Sequence, residues 1–350
     1  MNMQELIKSI RNRAERDHAP DDYVSVWSEY EPFRGRRERA AVIILRTTGC
    51  FWFRHSGCSM CGYYTDTDPG PVNEENLMNQ INMALKKIKD ESIIKIYNSG
   101  SFFDPNEIPE NVQENILSLF SDRKRVIVET RPEFITYERM KRFKKFRNLM
   151  VAVGLESSSD EVLKNSINKG FSRSEFERAA GILKDLSIPL KTYVLLKPPF
   201  LTEREAIEDV IRTIEFASEY SEIISVNPVD VQSYTMVEYL WNHGYYRPPW
   251  LWSLLEVLKR TSKFKKVVSF PTAGSKVRGI HNCGSCDEKI LGIIEEFSYT
   301  QDENVLSNIP DCKCRTVWEN IIKNEGRIYS TSGEEKNILD LDFELGLFSR

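Results

Sequence analysis

After residue 40 the chain settles into a rhythm that few folds accommodate. Short apolar runs rich in β-branched residues alternate with longer segments of helical period. Strand candidates are 41–45, 93–98, 125–130, 149–156, 190–196 and 223–229. Helix candidates lie between them near 74–90, 108–121, 136–146, 159–168, 173–186 and 203–220. Ser174 ahead of Phe176, and Thr202 ahead of Glu203 and Glu205, mark two helix starts. Six β–α units in succession predict a parallel sheet with right-handed crossovers. Strands without in–out alternation predict burial on both faces. A closed eightfold barrel needs two further units, which the sequence does not offer. The expected fold is therefore α/β, a partial (β/α)6 TIM-like barrel with a Cys-rich C-terminal region.

Three segments follow: an N-terminal helical extension (1–40), the barrel (41–235) and a C-terminal region (236–350). In the last, the rhythm breaks at "YYRPPW" (245–250), followed by a helix (251–261) and a short strand candidate, "KVVSF" (266–270). The chain has no run of about eighteen apolar residues and no signal-peptide core, so no membrane contact is expected and the cytoplasm is the expected compartment.

In a reducing compartment cysteines are not spent on disulfides, which makes their distribution informative. All seven fall in two groups, Cys50, Cys58, Cys61 and Cys283, Cys286, Cys312, Cys314, with 221 residues between them. Clustering of this kind points to two metal sites. The first group has the spacing C-x7-C-x2-C and lies just past the first barrel strand. Chemistry in parallel α/β barrels gathers at that end of the strands. Three thiolates on one loop suit three corners of a cubane 4Fe–4S cluster, with one iron left open. A zinc knuckle with His55 as fourth ligand is the alternative. The second group, C-x2-C-x25-C-x-C, offers two short thiolate pairs. That pattern suits tetrahedral zinc, with an auxiliary iron–sulfur cluster as the alternative and His281 as a reserve ligand.

Charged and small residues also collect at strand ends: Ser99, Gly100 and Ser101 in "YNSGSF", Glu129 and Arg131 in "ETRPE", Glu156 in "GLESSSDEVL", Lys197 in "LLKPPFLTE" and Asn227 in "VNPVDVQ". Charges at the ends of apolar strands are costly unless paired or facing a ligand. An Arg131–Glu156 ion pair is the structural alternative for those two. Lys197 either meets an anion or snorkels. Formal net charge is −4, yet 34–39, 138–147 and 258–266 are locally basic, each readable as a solvated face or as part of an RNA-contacting patch. Trp250 and Trp252 are candidate base stackers or core residues.

Cys50, Cys58 and Cys61 directly after strand one of a six-unit barrel resemble the radical S-adenosylmethionine (SAM) enzymes. The first gap is longer than the superfamily's usual C-x3-C-x2-C. The resemblance implies a 4Fe–4S cluster and SAM, with SAM contacts from Met60, Tyr63, Ser99, Gly100, Ser101, Glu129, Arg131, Glu156 and Asn227. Ser99–Ser101 lacks the acidic ending usual at that position, and Met60 stands where an aromatic is common.

"GCSMCGYYTDT" (57–67), "YNSGSFFDPNEIP" (97–109), "ETRPEFIT" (129–136) and "GLESSSDEVLKNSINKGFS" (154–172) are together similar to the archaeosine-biosynthesis radical SAM proteins. This narrower resemblance implies an archaeal enzyme acting on tRNA. It would use a 5′-deoxyadenosyl radical to cleave a C–N bond in a lysine adduct of 7-cyano-7-deazaguanosine. It further implies a lysine-transferring archaeosine synthase as partner and an electron donor. The competing expectations are a radical SAM enzyme on a small molecule or protein with an auxiliary cluster, and a non-enzymatic zinc-stapled RNA-binding protein.

Overall fold

A computed structural model describes residues 2–16, 18–264 and 266–329. Its centre is one eight-stranded sheet in the order β1 to β8. The strands are β1 (Ser25–Phe33), β2 (Arg36–Leu45), β3 (Ile93–Asn98), β4 (Arg125–Glu129), β5 (Leu149–Glu156), β6 (Leu190–Leu196), β7 (Ile223–Pro228) and β8 (Lys266–Val268). From β2 to β8 every neighbouring pair is parallel, while β1 and β2 form an antiparallel hairpin. Among the described residues β8 and β1 are not paired, so the sheet is an open α/β half-barrel.

The six expected strands correspond to β2 through β7, and the candidate at 266–270 to β8. β1 is new. It lies in the stretch expected to be helical, of which only α1 (Met3–Arg11) is a helix. Its inward residues include Glu29 and Glu31, which neutralise the inward Lys95 of β3 and Lys191 of β6. These charged positions hide the apolar alternation that marks a strand.

The crossover helices are α3 (Glu74–Leu85), α4 (Glu110–Leu119), α5 (Tyr137–Phe143), α6 (Asp160–Val162), α7 (Arg173–Asp185) and α8 (Glu203–Ala217). A short α2 (Phe51–His55) follows β2, while α9 (Met236–Asn242), α10 (Leu251–Thr261), α11 (Asp287–Thr300) and α12 (Cys314–Tyr329) complete the described chain. The N-cap of α7 is Ser172, two residues before the expected Ser174. Its side chain and that of Glu175 form a capping box, as Thr202 and Glu205 do for α8. The expected helix at 159–168 is only α6, continued by a π turn over Leu163–Ile167 that ends on Asn168 in the left-handed region.

Apolar packing falls into three groups. The largest lies between the sheet and its outer helices. A small one, including Ala40, Ile93, Ile127, Met150 and Ile223, plugs the inside of the half-barrel. A third joins α1, α9 and the π turn through Ile7, Ile10, Leu163, Ile167 and Val237, with Cys58 and Met60 packed against it. The first cysteine loop thus rests on a packed base at the carboxyl ends of the strands. Residues 330–350, part of the C-terminal region read from sequence, lie outside the described residues.

Candidate active site and metal centre

The loop carrying the first three cysteines is fastened on every side. The Cys50 N–H donates to the Ser99 carbonyl at 2.9 Å, which ties the end of β2 to the end of β3. Ser59 donates from its N–H to the Ile167 carbonyl (2.8 Å) and from its hydroxyl to the Ser166 carbonyl (2.7 Å). Asn168 Nδ2 donates to Ser56 Oγ and to the Gly57 carbonyl, and the Trp52 indole N–H donates to the Asn168 carbonyl at 2.7 Å. The Gly62 N–H donates to Gln232 Oε1 at 2.7 Å. From below, Arg11 donates to the Ser56 carbonyl and lies 4.6 Å from the Phe53 ring centre. Gly57 has φ +96°, and a Cβ there would stand 2.2 Å from Arg11 Nη1. Glycine is therefore favoured by the conformation, and a side chain there would displace the Arg11 guanidinium.

Burial pushes all three thiols of this loop upward, Cys61 to about 12. Arg131 opposes the shift at Cys50, and Lys169 and Arg131 oppose it at Cys58. Three half-buried thiols beside two cations form a donor set that stays protonated when bare and ionises on a cationic metal centre. Among the described residues the three do not form a set with ligand atoms all within 4.8 Å of one another, which excludes a tight single-ion site and accords with a cubane cluster, whose ligands bind different irons and stand wider apart. His55 does not join them: its Nδ1 meets the Phe51 carbonyl at 2.9 Å and its ring is exposed.

The expected strand-end residues line the same rim. At the end of β3, Gly100 and Ser101 wrap the buried carboxylate of Glu107, which accepts from the Ser101 N–H (2.9 Å), Asn98 Nδ2 (2.9 Å) and Thr47 Oγ1 (3.0 Å). Burial pushes Glu107 up to about 7 despite those donors. Glu129, half-buried at the end of β4, is also pushed up to about 7 by burial, with Glu156 adding to the shift.

The Arg131–Glu156 pair allowed for from sequence is not formed. Arg131 pairs with Glu133 at 2.6 Å and donates to the Lys169 carbonyl at 3.0 Å. Glu156, in the left-handed region at φ +71°, pairs with Lys169 at 2.7 Å. Asn227 is half-buried and accepts from Ser225 Oγ at 3.1 Å. Tyr63 is 53% exposed, and Met60 packs in the apolar base. Inside the barrel the Tyr193 hydroxyl donates to the Tyr97 hydroxyl at 3.2 Å. Lys197 is bound to the buried Glu203 at 2.6 Å rather than free for an anion. Sequence reasoning passed over Glu107, Asn168 and Lys169. Only the last two carry a signal, in "NSINKG", where Asn and Gly punctuate a helical pattern.

The second cysteine group converges. Sγ atoms of Cys283, Cys286, Cys312 and Cys314 all lie within 4.8 Å of one another. Cys283–Cys312 and Cys286–Cys314 are 3.6 Å apart, and Cys312–Cys314 3.4 Å. His281 is outside the set and meets the Gly279 carbonyl through Nδ1 at 2.7 Å. Trp252 is a core residue at 3% exposure and donates to Cys314 Sγ at 3.2 Å. Trp250 is half-buried beneath Arg247, whose guanidinium carbon is 3.9 Å from the ring centre.

Comparison with known proteins bears on this site. The Radical SAM superfamily profile matches residues 44–217. The chain is 35% identical over 343 residues to archaeosine synthase subunit beta of Methanosarcina acetivorans, covering 95% of this chain and 99% of the relative. It is 35% identical over 315 residues to archaeosine synthase subunit beta of Thermococcus kodakarensis, covering 86% and 97% respectively. Among solved structures, methylornithine synthase (PylB) shares the fold, with a TM-score of 0.51 and 15% identity over 98% of this chain and 91% of that one.

Proposed function

This chain belongs to the radical SAM superfamily, in the family of the archaeosine synthase beta subunits, and from that membership we propose that it carries out the radical step of archaeosine formation in tRNA. In this reading Cys50, Cys58 and Cys61 hold a 4Fe–4S cluster with one iron left for SAM. When bound, cluster and SAM supply a 5′-deoxyadenosyl radical, chemistry that no side chain of the protein can replace. The substrate is the lysine adduct of 7-cyano-7-deazaguanosine in the tRNA D-loop. The outcome is cleavage of a C–N bond in the lysine-derived arm, a lyase reaction.

The chain's own residues orient, shield and balance charge. Arg131 and Lys169 offset the thiolate charge. The backbone of Ser99–Ser101, held by Glu107, would meet the amino group of SAM, and Met60, Tyr63, Glu129, Glu156 and Asn227 would complete the cofactor pocket. The apolar plug below excludes water from the floor of the lumen. No side chain is assigned as acid or base. The second cysteine group holds a further metal.

The relatives are named as subunits of archaeosine synthase, so a partner subunit is expected, which we read as the lysine-transferring archaeosine synthase. A low-potential electron donor completes the system, and the compartment is the cytoplasm. Among the described residues no helix is long and apolar enough to cross a membrane.

The observation that carries this reading is the first cysteine trio, fastened at the carboxyl ends of the strands above a polar lumen, in a chain 35% identical to its relative over nearly its whole length. The test is anaerobic incubation of iron-loaded protein with SAM, a reductant and tRNA bearing the lysine adduct. The expected products are 5′-deoxyadenosine and, by nucleoside mass spectrometry, archaeosine. Iron-loaded protein that yields no 5′-deoxyadenosine overturns the reading.

A further inference from the structure

The second cysteine group is spaced for one tetrahedral ion. Four sulfurs bound 2.3 Å from one zinc stand about 3.8 Å apart in a tetrahedron. The observed separations of 3.4–3.6 Å between three pairs lie close to that value. A disulfide needs a sulfur separation of about 2.05 Å. The four ligands of a cubane cluster, each on its own iron, stand wider. The donor set is therefore built for one tetrahedral ion.

Its surroundings are built as well. The Trp252 indole N–H donates to Cys314 Sγ, and Asn282 Nδ2 donates to Cys286 Sγ at 3.4 Å. Such N–H to sulfur bonds fix ligand rotamers and stabilise thiolate charge. The Asn282 and Gly284 N–H groups both donate to the Asp287 carboxylate, which shapes the first Cys-x2-Cys turn.

From the knot a continuous set of contacts runs to the barrel. Ser253, next to Trp252, receives the Trp318 indole N–H at 2.8 Å and donates to Glu203 Oε1 at 2.7 Å. The Trp250 N–H donates to the same oxygen, and the other carboxylate oxygen holds Lys197. On α12, which begins at Cys314, Glu325 accepts the N–H groups of Glu203 and Arg204 at 3.2 and 3.1 Å. A carboxylate from α12 thus caps the N-terminus of α8. The loop it steadies runs from β6 to α8 and begins at Lys197, whose φ is +62° and whose carbonyl receives the Tyr246 hydroxyl at 2.8 Å.

We propose that Cys283, Cys286, Cys312 and Cys314 bind a single, redox-inert zinc ion that clamps α12 onto α8 and so fixes the β6–α8 loop at the rim of the lumen. The metal is structural and takes no electron from the first site.

The test uses the full chain carrying C50A/C58A/C61A, which removes the first site and with it any dependence on the radical reading. Metal analysis should return one zinc per chain and no iron. Loading metal-free protein with Co²⁺ alone should give the spectrum of a tetrahedral tetrathiolate. Four irons, one iron or no metal at this site would each overturn the proposal. In the otherwise native chain, C283S or C312S should lose at least nine-tenths of the zinc and lower Tm by roughly 5 °C or more. If those variants fold poorly, a chelator on the native chain replaces them. Zinc-loaded protein should resist limited proteolysis between α11 and α12, and stripped protein should be cut there and regain protection on adding Zn²⁺. Equal cutting with and without zinc refutes the clamp while leaving the radical chemistry untouched.

Discussion

Glu107 occupies the space that Gly100 leaves empty: a Cβ at position 100 would stand 1.9 Å from Glu107 Oε2. The carboxylate can therefore reach the Ser101 N–H and hold the strand-end loop in shape. Glu107→Ala orphans three buried donors, those of Ser101, Asn98 and Thr47, each worth about 1–3 kcal/mol when unmade. SAM affinity, read by equilibrium binding to iron-loaded protein, should fall at least about tenfold, equal to roughly 1.4 kcal/mol. Glu107→Gln keeps the shape and part of the bonding and should recover most of that loss. Gly100→Ala should behave like Glu107→Ala although it removes no polar group. A Gly100→Ala protein with native SAM affinity would refute the pairing.

The same carboxyl gives a pH signature. Glu107 is pushed up from 4.5 to about 7 by burial, so the folded protein binds that proton more tightly than the unfolded chain does. Its contribution is fully present below about pH 4.5 and is lost as pH rises towards 7. Glu129 acts in the same direction over the same range. Urea midpoints measured from pH 5 to 7.5 should decline for the native protein and decline less for Glu107→Gln. Parallel curves would show that Glu107 does not titrate as its burial demands.

Lys169 and Glu156, both with side chains 10% exposed, form an ion pair at 2.7 Å beside the first cysteine loop. Removing one partner leaves a buried charge without its counter-ion, a loss of about 3–5 kcal/mol, whereas removing both charges together costs far less. Lys169→Met should be strongly destabilised in chemical denaturation, and Lys169→Met with Glu156→Leu should regain much of the loss. Lys169 also lowers the Cys58 thiol and Glu156 raises it, so Lys169→Met should load iron poorly and the double variant less poorly. Native iron content in folded Lys169→Met would show that Lys169 serves the fold alone.

Much of this architecture is legible in the residues because it rests on repeated local signals. The strands β2 through β7 are built on apolar runs rich in β-branched residues, and a sheet buried on both faces requires such runs. The cysteine groups are legible because thiols clustered at metal-ligand spacings have few other uses. What escaped was decided by partners distant in sequence. β1 is a strand because Glu29 and Glu31 find Lys95 and Lys191 across the barrel. Glu107 lies in a loop, "DPNEIP", whose composition reads as an ordinary turn, and its role depends on Thr47, sixty positions earlier. The π turn at Leu163–Ile167 shares its apolar period with a helix; it departs from one where Asn168 turns to Ser56 and Gly57.

The buried charges that lie beside the apolar plug make the last prediction. Glu31, 2% exposed, binds Lys191 at 2.8 Å and also pairs with Lys95. Burial alone would push this carboxyl up, yet Lys191 and Lys95 outweigh it and hold it at about 2, below its ordinary 4.5. The sign is opposite to that of Glu107. Stability from Glu31 is present above about pH 4.5 and is lost as pH falls towards 2. Glu31→Gln leaves two buried ammonium groups short of counter-charge and should cost about 3–5 kcal/mol near neutral pH. It should also remove part of the acid-denaturation limb, so native and variant stabilities converge as pH approaches 2. Glu31→Leu with Lys191→Leu, which removes one charge of each sign and leaves Lys95 to Glu29 at 2.5 Å, should be more stable than Glu31→Gln. A Glu31→Gln variant whose urea midpoint matches the native one at pH 7 would mean that the three charges are solvated through the open edge of the sheet, and that β1 is held by its hairpin with β2 instead.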